Sequence, residues 1–109
     1  MRIGIIGGSG YVGSELLRLL LMHPQAEVTM VTSRQSVGEY VFNLHPNLRG
    51  LTQLKFVPQD LAELQKNCDL IFTATPHGGS VNLVPKLLEA GLKVIDMSAD
   101  YRLKNPADY

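Results

Sequence analysis

Two spacings of apolar residues take turns along this chain. In one, β-branched and aliphatic residues cluster, as in Ile3-Gly4-Ile5-Ile6, Val28-Thr29-Met30-Val31 and Leu70-Ile71-Phe72. In the other, apolar residues recur three and four apart, as at Val12, Leu16, Leu19 and Leu20. The first spacing predicts strands buried on both faces, and the second predicts amphipathic helices. Strands are expected over residues 2–6, 27–32, 54–57, 69–74 and 92–97, and helices over 10–23, 60–66 and 80–91. Pro24 stops the first helix, Pro58 and Asp60 open the second, and Ser80 caps the third, which ends near Gly91. Val12, Leu16, Leu19 and Leu20 form the stripe expected to face a sheet. Residues 33–50, with Gly38, Pro46 and Gly50, read as a long connection, and the chain turns polar and irregular after Ser98.

Strands alternating with helices imply right-handed βαβ units and a parallel sheet. The predicted fold is α/β, a Rossmann-like doubly wound parallel sheet with strand order 3-2-1-4-5. Ligands of such sheets bind in the crevice at the carboxyl ends of the first and fourth strands, where the strand order reverses.

The first strand meets the first helix at Gly7-Gly8-Ser9-Gly10-Tyr11-Val12-Gly13. Gly7 lets the chain leave the strand with positive φ. Gly10 lets backbone N–H groups approach a phosphate, and Gly13 lets the helix pack tightly on the strand. A helix N-terminus adds unpaired N–H groups and partial positive charge. Residues 7–13 are therefore expected to hold the pyrophosphate of a dinucleotide. An ordinary strand-to-helix turn uses glycines too, but the apolar strand before and the long apolar helix after favour the dinucleotide.

The end of the second strand bears on which dinucleotide. NAD-binding domains place an acidic residue there for the ribose 2′-OH. This chain has Thr32-Ser33-Arg34 instead. A hydroxyl and a guanidinium suit a 2′-phosphate, so NADP is expected, with Ser33 and Arg34 as its ligands. The alternative for Arg34 is a solvated loop arginine. Thr75, Pro76 and His77 follow the fourth strand and are expected to line the cofactor site, with Gly78 and Gly79 allowing close approach. His77 reads as a lining residue rather than an acid–base group. Ser98 and Arg102 follow the fifth strand and are expected to face the crevice in a substrate role; Arg102 suits an anionic group held bidentately, or an ion pair with Asp100. Arg49 is a second, weaker candidate for such an anion. The role of His45 is open. His23 reads as structural, an imidazolium at a helix end.

Composition narrows the partners. The 109 residues carry 10 basic and 10 acidic side chains, so net charge gives no signal for nucleic acid or a membrane surface. The apolar part of the first helix is too short to span a bilayer and contains Arg18. The chain enters a strand at once, without the pattern of a cleavable signal peptide. The single cysteine, Cys68, excludes an intrachain disulfide and fits a reducing compartment, so the expectation is a cytoplasmic protein. Cys68 precedes the fourth strand, at the end of the sheet away from the crevice. Its neighbours Asn67 and Asp69 do not stabilise a thiolate, so it reads as a packed small residue rather than a nucleophile. No metal site is expected.

Three segments together carry a resemblance: residues 7–13, Leu44-His45-Pro46-Asn47-Leu48-Arg49-Gly50, and Asp96-Met97-Ser98-Ala99-Asp100-Tyr101-Arg102-Leu103. In that order the chain resembles, over essentially its whole length, the N-terminal part of the N-acetyl-γ-glutamyl-phosphate reductase family. Thr32-Ser33-Arg34 and Thr75-Pro76-His77-Gly78 fit the same pattern. The resemblance implies NADPH-dependent reduction of an acyl phosphate to an aldehyde, with phosphate release, in arginine biosynthesis. It also implies that a cysteine nucleophile and an acid–base histidine lie in a second domain, with no counterparts here. Residues 1–109 are then expected to be an incomplete NADP-binding domain that binds but does not turn over alone, part of a homo-oligomer at full length. Relatives in lysine biosynthesis act on a substrate tethered to a small carrier protein, and this half of the chain does not separate the two. Aspartate-semialdehyde dehydrogenase shares the glycine segment and the acyl-phosphate chemistry, but the histidine and serine segments favour the reductase. A nucleotide-binding module without chemistry is the reading from another class. If the chain stands alone, one sheet face is left underprotected and invites self-association or a partner.

Overall fold

The computed structural model describes residues 1–8, 10–74 and 83–97. Five parallel strands form one sheet in the order β3-β2-β1-β4-β5, as expected. They are β1 Arg2–Ile6, β2 Glu27–Thr32, β3 Phe56–Val57, β4 Leu70–Thr73 and β5 Lys93–Asp96. The helices are α1 Tyr11–Leu21, α2 Val41–Leu44, α3 Leu61–Asn67 and α4 Leu83–Glu89, with a 3₁₀ turn at Pro46–Leu48. Most boundaries fall within two residues of the sequence reading. The long connection differs in kind, since it folds into α2 and the 3₁₀ turn. Ser80 lies outside the described residues; the helix does end before Gly91, whose φ is 85°.

Alternation along each strand sorts the core into two layers. Ile3, Ile5, Val31 and Phe56 pack with Leu17 on the α1 side, while Ile6, Met30 and Ile71 pack with Leu64 and Leu87 on the α3 and α4 side. Asp60 caps α3, its Oδ1 accepting from the N–H of Ala62 at 3.0 Å and of Glu63 at 3.3 Å. On the α1 side, Leu70 and Phe72 of β4 are only partly buried, and Ile95 of β5 is 43% exposed.

The expected stripe of α1 holds in part: Leu16 and Leu20 pack against the core, but its centre is shifted. Leu19 points outward at 59% exposure, whereas Leu17 is fully buried and Gly13 is buried with it. The cause is Gly13 itself. A Cβ there would lie 2.7 Å from Gly8 Cα and 2.9 Å from the Gly7 carbonyl oxygen. The helix can approach the turn this closely only through a glycine, so position 13 must face the sheet. Leu17 and Leu20, four and seven residues on, follow it.

One irregularity lies where β1 meets β2. The register slips between Ile3 and Gly4, which pair with Val28 and Met30; Thr29 has no Cα partner in β1, and its Oγ1 donates to the Ile3 carbonyl at 3.3 Å. Thr29 Oγ1 lies 2.9 Å from the Asn67 carbonyl oxygen and 3.4 Å from Cys68 Sγ, so the bulge is tied to the approach to β4.

Candidate functional site

The crevice lies where β1 ends in the glycine turn and β4 ends beside it. Gly7 has φ 84°, a conformation that L side chains rarely adopt, so the turn out of β1 requires glycine there. The Gly8 N–H donates to the Thr32 carbonyl at 3.1 Å, which ties the turn to the end of β2. The first helical bond of α1 runs from the Ser14 N–H to the Gly10 carbonyl at 3.0 Å. The N–H groups ahead of Ser14 have no acceptor inside the helix. Gly10, the N-cap, brings no side chain to them, and the first turn carries no acidic residue. The helix start thus keeps its donors and partial positive charge for an anion.

The glycines differ in what surrounds them. A Cβ on Gly8 would sit 2.3 Å from Val31 Cγ1, and one on Gly13 would meet backbone. A Cβ on Gly10 would meet nothing within 4 Å among the described residues. Gly8 and Gly13 are therefore required by the fold, while the described residues leave the space over Gly10 open. A pyrophosphate fits this arrangement: it needs N–H donors, a positive helix end and room against the backbone, and all three are present.

At the end of β2, Ser33 is 5% exposed. Its Oγ accepts from the N–H of Gln35 at 3.3 Å and of Ser36 at 3.2 Å, forming a local turn. Both acceptor positions are thereby occupied and the hydroxyl proton remains available to donate. Arg34 is exposed and makes no hydrogen bond or ion pair among the described residues. Ser9, Thr75, Pro76, His77, Ser98 and Arg102 lie outside the described residues. The approach to two of those segments is held by Thr73, whose Oγ1 donates to Asp96 Oδ1 at 2.7 Å across the ends of β4 and β5.

Cys68 is buried at 3% exposure, and burial pushes its thiol pKa up, against a smaller lowering by the Thr29 hydroxyl. A thiol held in its protonated form at the amino end of the sheet is no nucleophile for this crevice. His23 follows α1 in a structural role, its Nδ1 accepting from the Gln25 N–H at 3.1 Å in the turn toward β2. Arg49 is exposed, and its guanidinium lies 5.4 Å over the Phe42 ring; Phe42 in turn stacks on Tyr40. Among the described residues, no group of His, Cys, Asp and Glu is arranged to hold a metal.

His45 is the residue whose place the sequence left open. It is 7% exposed, and its Nε2 lies 2.7 Å from the Gly8 carbonyl oxygen. Its ring meets Phe56 edge-on at 6.4 Å between centroids. A signal for its burial was present: Val41, His45 and Leu48 are spaced four and three apart, and both flanking residues are fully buried.

Comparison with known proteins agrees with this geometry. Residues 2–109 match the family model of the semialdehyde dehydrogenase NAD-binding domain. The chain is 58% identical over 103 residues to N-acetyl-gamma-glutamyl-phosphate reductase of Methanocella arvoryzae, covering 94% of this chain and 31% of that protein. It is 50% identical over 109 residues to the [LysW]-L-2-aminoadipate/[LysW]-L-glutamate phosphate reductase of Saccharolobus solfataricus, covering 100% of this chain and 31% of that one. The chain thus spans about a third of the length of these curated relatives. Among solved structures, aspartate semialdehyde dehydrogenase with NADP from Candida albicans superposes with a TM-score of 0.79 at 22% identity, covering 93% of this chain and 30% of that one, a likeness of fold. With nearly every residue inside the match, the chain belongs to the semialdehyde dehydrogenase family, as its NAD-binding domain.

Proposed function

We propose that residues 1–109 are the cofactor-holding part of an NADPH-dependent acyl-phosphate reductase. The observation that carries this reading is the glycine turn, which offers the open N-terminus of α1 and clear space over Gly10 at the carboxyl end of β1. Residues 7–13, Ser9 included, hold the pyrophosphate. Ser33 and Arg34 take the 2′-phosphate, a reading supported by the exposed guanidinium and by the absence of a carboxylate in Thr32-Ser33-Arg34. Thr75, Pro76 and His77 line the nicotinamide end. Ser98 and Arg102 bind the phosphate of the substrate. When bound, NADPH supplies the hydride that reduces the acyl carbon. This chain's residues bind and orient; the nucleophilic cysteine and the acid–base histidine are assigned to the remainder of the full-length protein.

The substrate proposed is N-acetyl-γ-glutamyl phosphate, converted to the semialdehyde with phosphate release in arginine biosynthesis. Support comes from the 58% identity to the Methanocella arvoryzae reductase and from the histidine and serine segments. A second reading, a substrate carried on a small protein in the lysine pathway, is favoured by the 50% identity to the LysW-linked reductase across the whole chain. Either enzyme is read as cytoplasmic and homo-oligomeric; no described helix is long and apolar enough to cross a membrane. The test is to mix full-length protein and NADPH with each acyl phosphate in turn, following NADPH absorbance and released phosphate. Oxidation matched by phosphate release with one of them is expected. Oxidation with neither would refute the proposal.

A further inference from the structure

We infer that His45 is a positioning residue for the glycine turn, clamping the Gly8 carbonyl so that the turn is preset for the dinucleotide. The inference rests on the cofactor reading above and adds a residue that reading does not use. A carbonyl only accepts, so at 2.7 Å the His45 Nε2 must carry the proton and donate it. Gly8 is then held at both of its polar groups, its N–H by the Thr32 carbonyl and its oxygen by His45. It is also held by packing, because Val31 occupies the place a Cβ would take. The clamp is itself rigid. Val41 and Leu48 on either side of His45 are fully buried, and the Val41 N–H donates to the Leu54 carbonyl at 2.9 Å. Phe56 closes on the imidazole from the edge.

The physical consequence is preorganisation. Among the described residues, this is the one side-chain hydrogen bond made to residues 7–13. Glycines in a turn cost much conformational entropy when a ligand orders them. A donor fixed by the core removes part of that cost before the cofactor arrives. It also occupies a carbonyl oxygen whose partial negative charge would otherwise be free to oppose a phosphate. The hydrogen bond joins the β2–β3 connection to the cofactor turn, which gives the histidine of the His-Pro-Asn-Leu-Arg-Gly segment a use without contact to substrate.

The test uses the full-length protein with His45→Phe, which keeps a ring and removes the donor, and His45→Gln, whose amide nitrogen replaces Nε2. NADPH and 2′-AMP are titrated against each; 2′-AMP lacks the pyrophosphate and samples only the 2′-phosphate end. We expect His45→Phe to weaken NADPH about tenfold and leave 2′-AMP unchanged, with His45→Gln recovering most of the loss. Equal weakening of both ligands, no weakening, or no recovery in His45→Gln would overturn the clamp. If His45→Phe does not fold, His45→Gln and the nitrogen NMR spectrum of the wild-type imidazole decide. A proton on Nε2 is required, and the other tautomer would refute the inference. Wild-type protein that binds neither nucleotide would instead bring down the cofactor reading, and the role inferred for His45 with it.

Discussion

Gly13→Ala puts one methyl group where the fold has no room. The new Cβ would lie 2.7 Å from Gly8 Cα and 2.9 Å from both the Gly8 carbonyl carbon and the Gly7 oxygen. Comfortable contacts between such atoms lie near 3.5–4.0 Å, so the overlap is on the order of 1 Å. Its neighbours are backbone, and Gly8 is fixed by Thr32, His45 and Val31, so the turn cannot yield easily. α1 must shift outward instead, and Leu17 leaves its buried place. Overpacking of this kind costs roughly 1–3 kcal/mol. Against it stands the gain of replacing a helical glycine by alanine, up to about 1 kcal/mol. We therefore expect a net destabilisation of about 1–2 kcal/mol, read from urea denaturation midpoints at unchanged slope. Gly10→Ala is the control. Its Cβ meets nothing within 4 Å among the described residues, so stability should stay within about 1 kcal/mol of wild type, the cost of alanine at an N-cap. NADPH binding by Gly10→Ala should nevertheless fall at least about tenfold, because the methyl group occupies the space left for phosphate. A Gly13→Ala protein as stable as wild type would refute the packing argument. A Gly10→Ala protein with full affinity would refute the placement of the pyrophosphate.

Two further expectations concern the opposite end of the sheet. Cys68 should resist alkylation at neutral pH in the folded protein and react once urea unfolds it, because burial keeps it a thiol out of reach; peptide mass mapping reads this, and rapid native labelling would contradict it. Asp69 holds Arg2 through its side chain, at 3.1 Å between Oδ1 and Nη2, and those hydrogen bonds keep its carboxyl below the usual range. A depressed folded value means stabilisation that is present above the unfolded carboxyl value of about 3.9 and is lost as pH falls through the folded value. Asp69→Asn should therefore lower the melting temperature slightly at neutral pH and approach wild type in strong acid, and a constant gap from neutral pH into strong acid would count against the ion pair.

The strand order was legible because alternation of strand and helix leaves few topologies, and the β-branched runs marked the strands. The leucines of α1 place Leu16 and Leu20 against the core but not Leu19, and Gly13 explains the shift: the residue that lets a helix touch a turn has to face it. Residues 33–50 read from sequence as a long connection because Gly38, Pro46 and Gly50 punctuate them. Its ordered part is short and is held by tertiary contacts, chiefly the burial of Val41 and Leu48 and the His45 bond to Gly8, which lies 37 residues away in sequence. Local pattern does not report a partner that distant. Ser33 was identified by residue type, but its Oγ acceptance from Gln35 and Ser36 depends on backbone geometry that residue type does not specify.

Which dinucleotide the crevice takes decides the function proposed for this domain. The most direct measurement is calorimetric titration of the full-length protein and of Arg34→Ala with NADPH and with NADH at one ionic strength. We expect wild type to prefer NADPH by roughly ten- to a hundredfold, the worth of a charge-assisted hydrogen bond to the 2′-phosphate, and Arg34→Ala to lose that preference while NADH binding barely changes. Equal affinity of wild type for the two cofactors, or equal losses for both in Arg34→Ala, would contradict it.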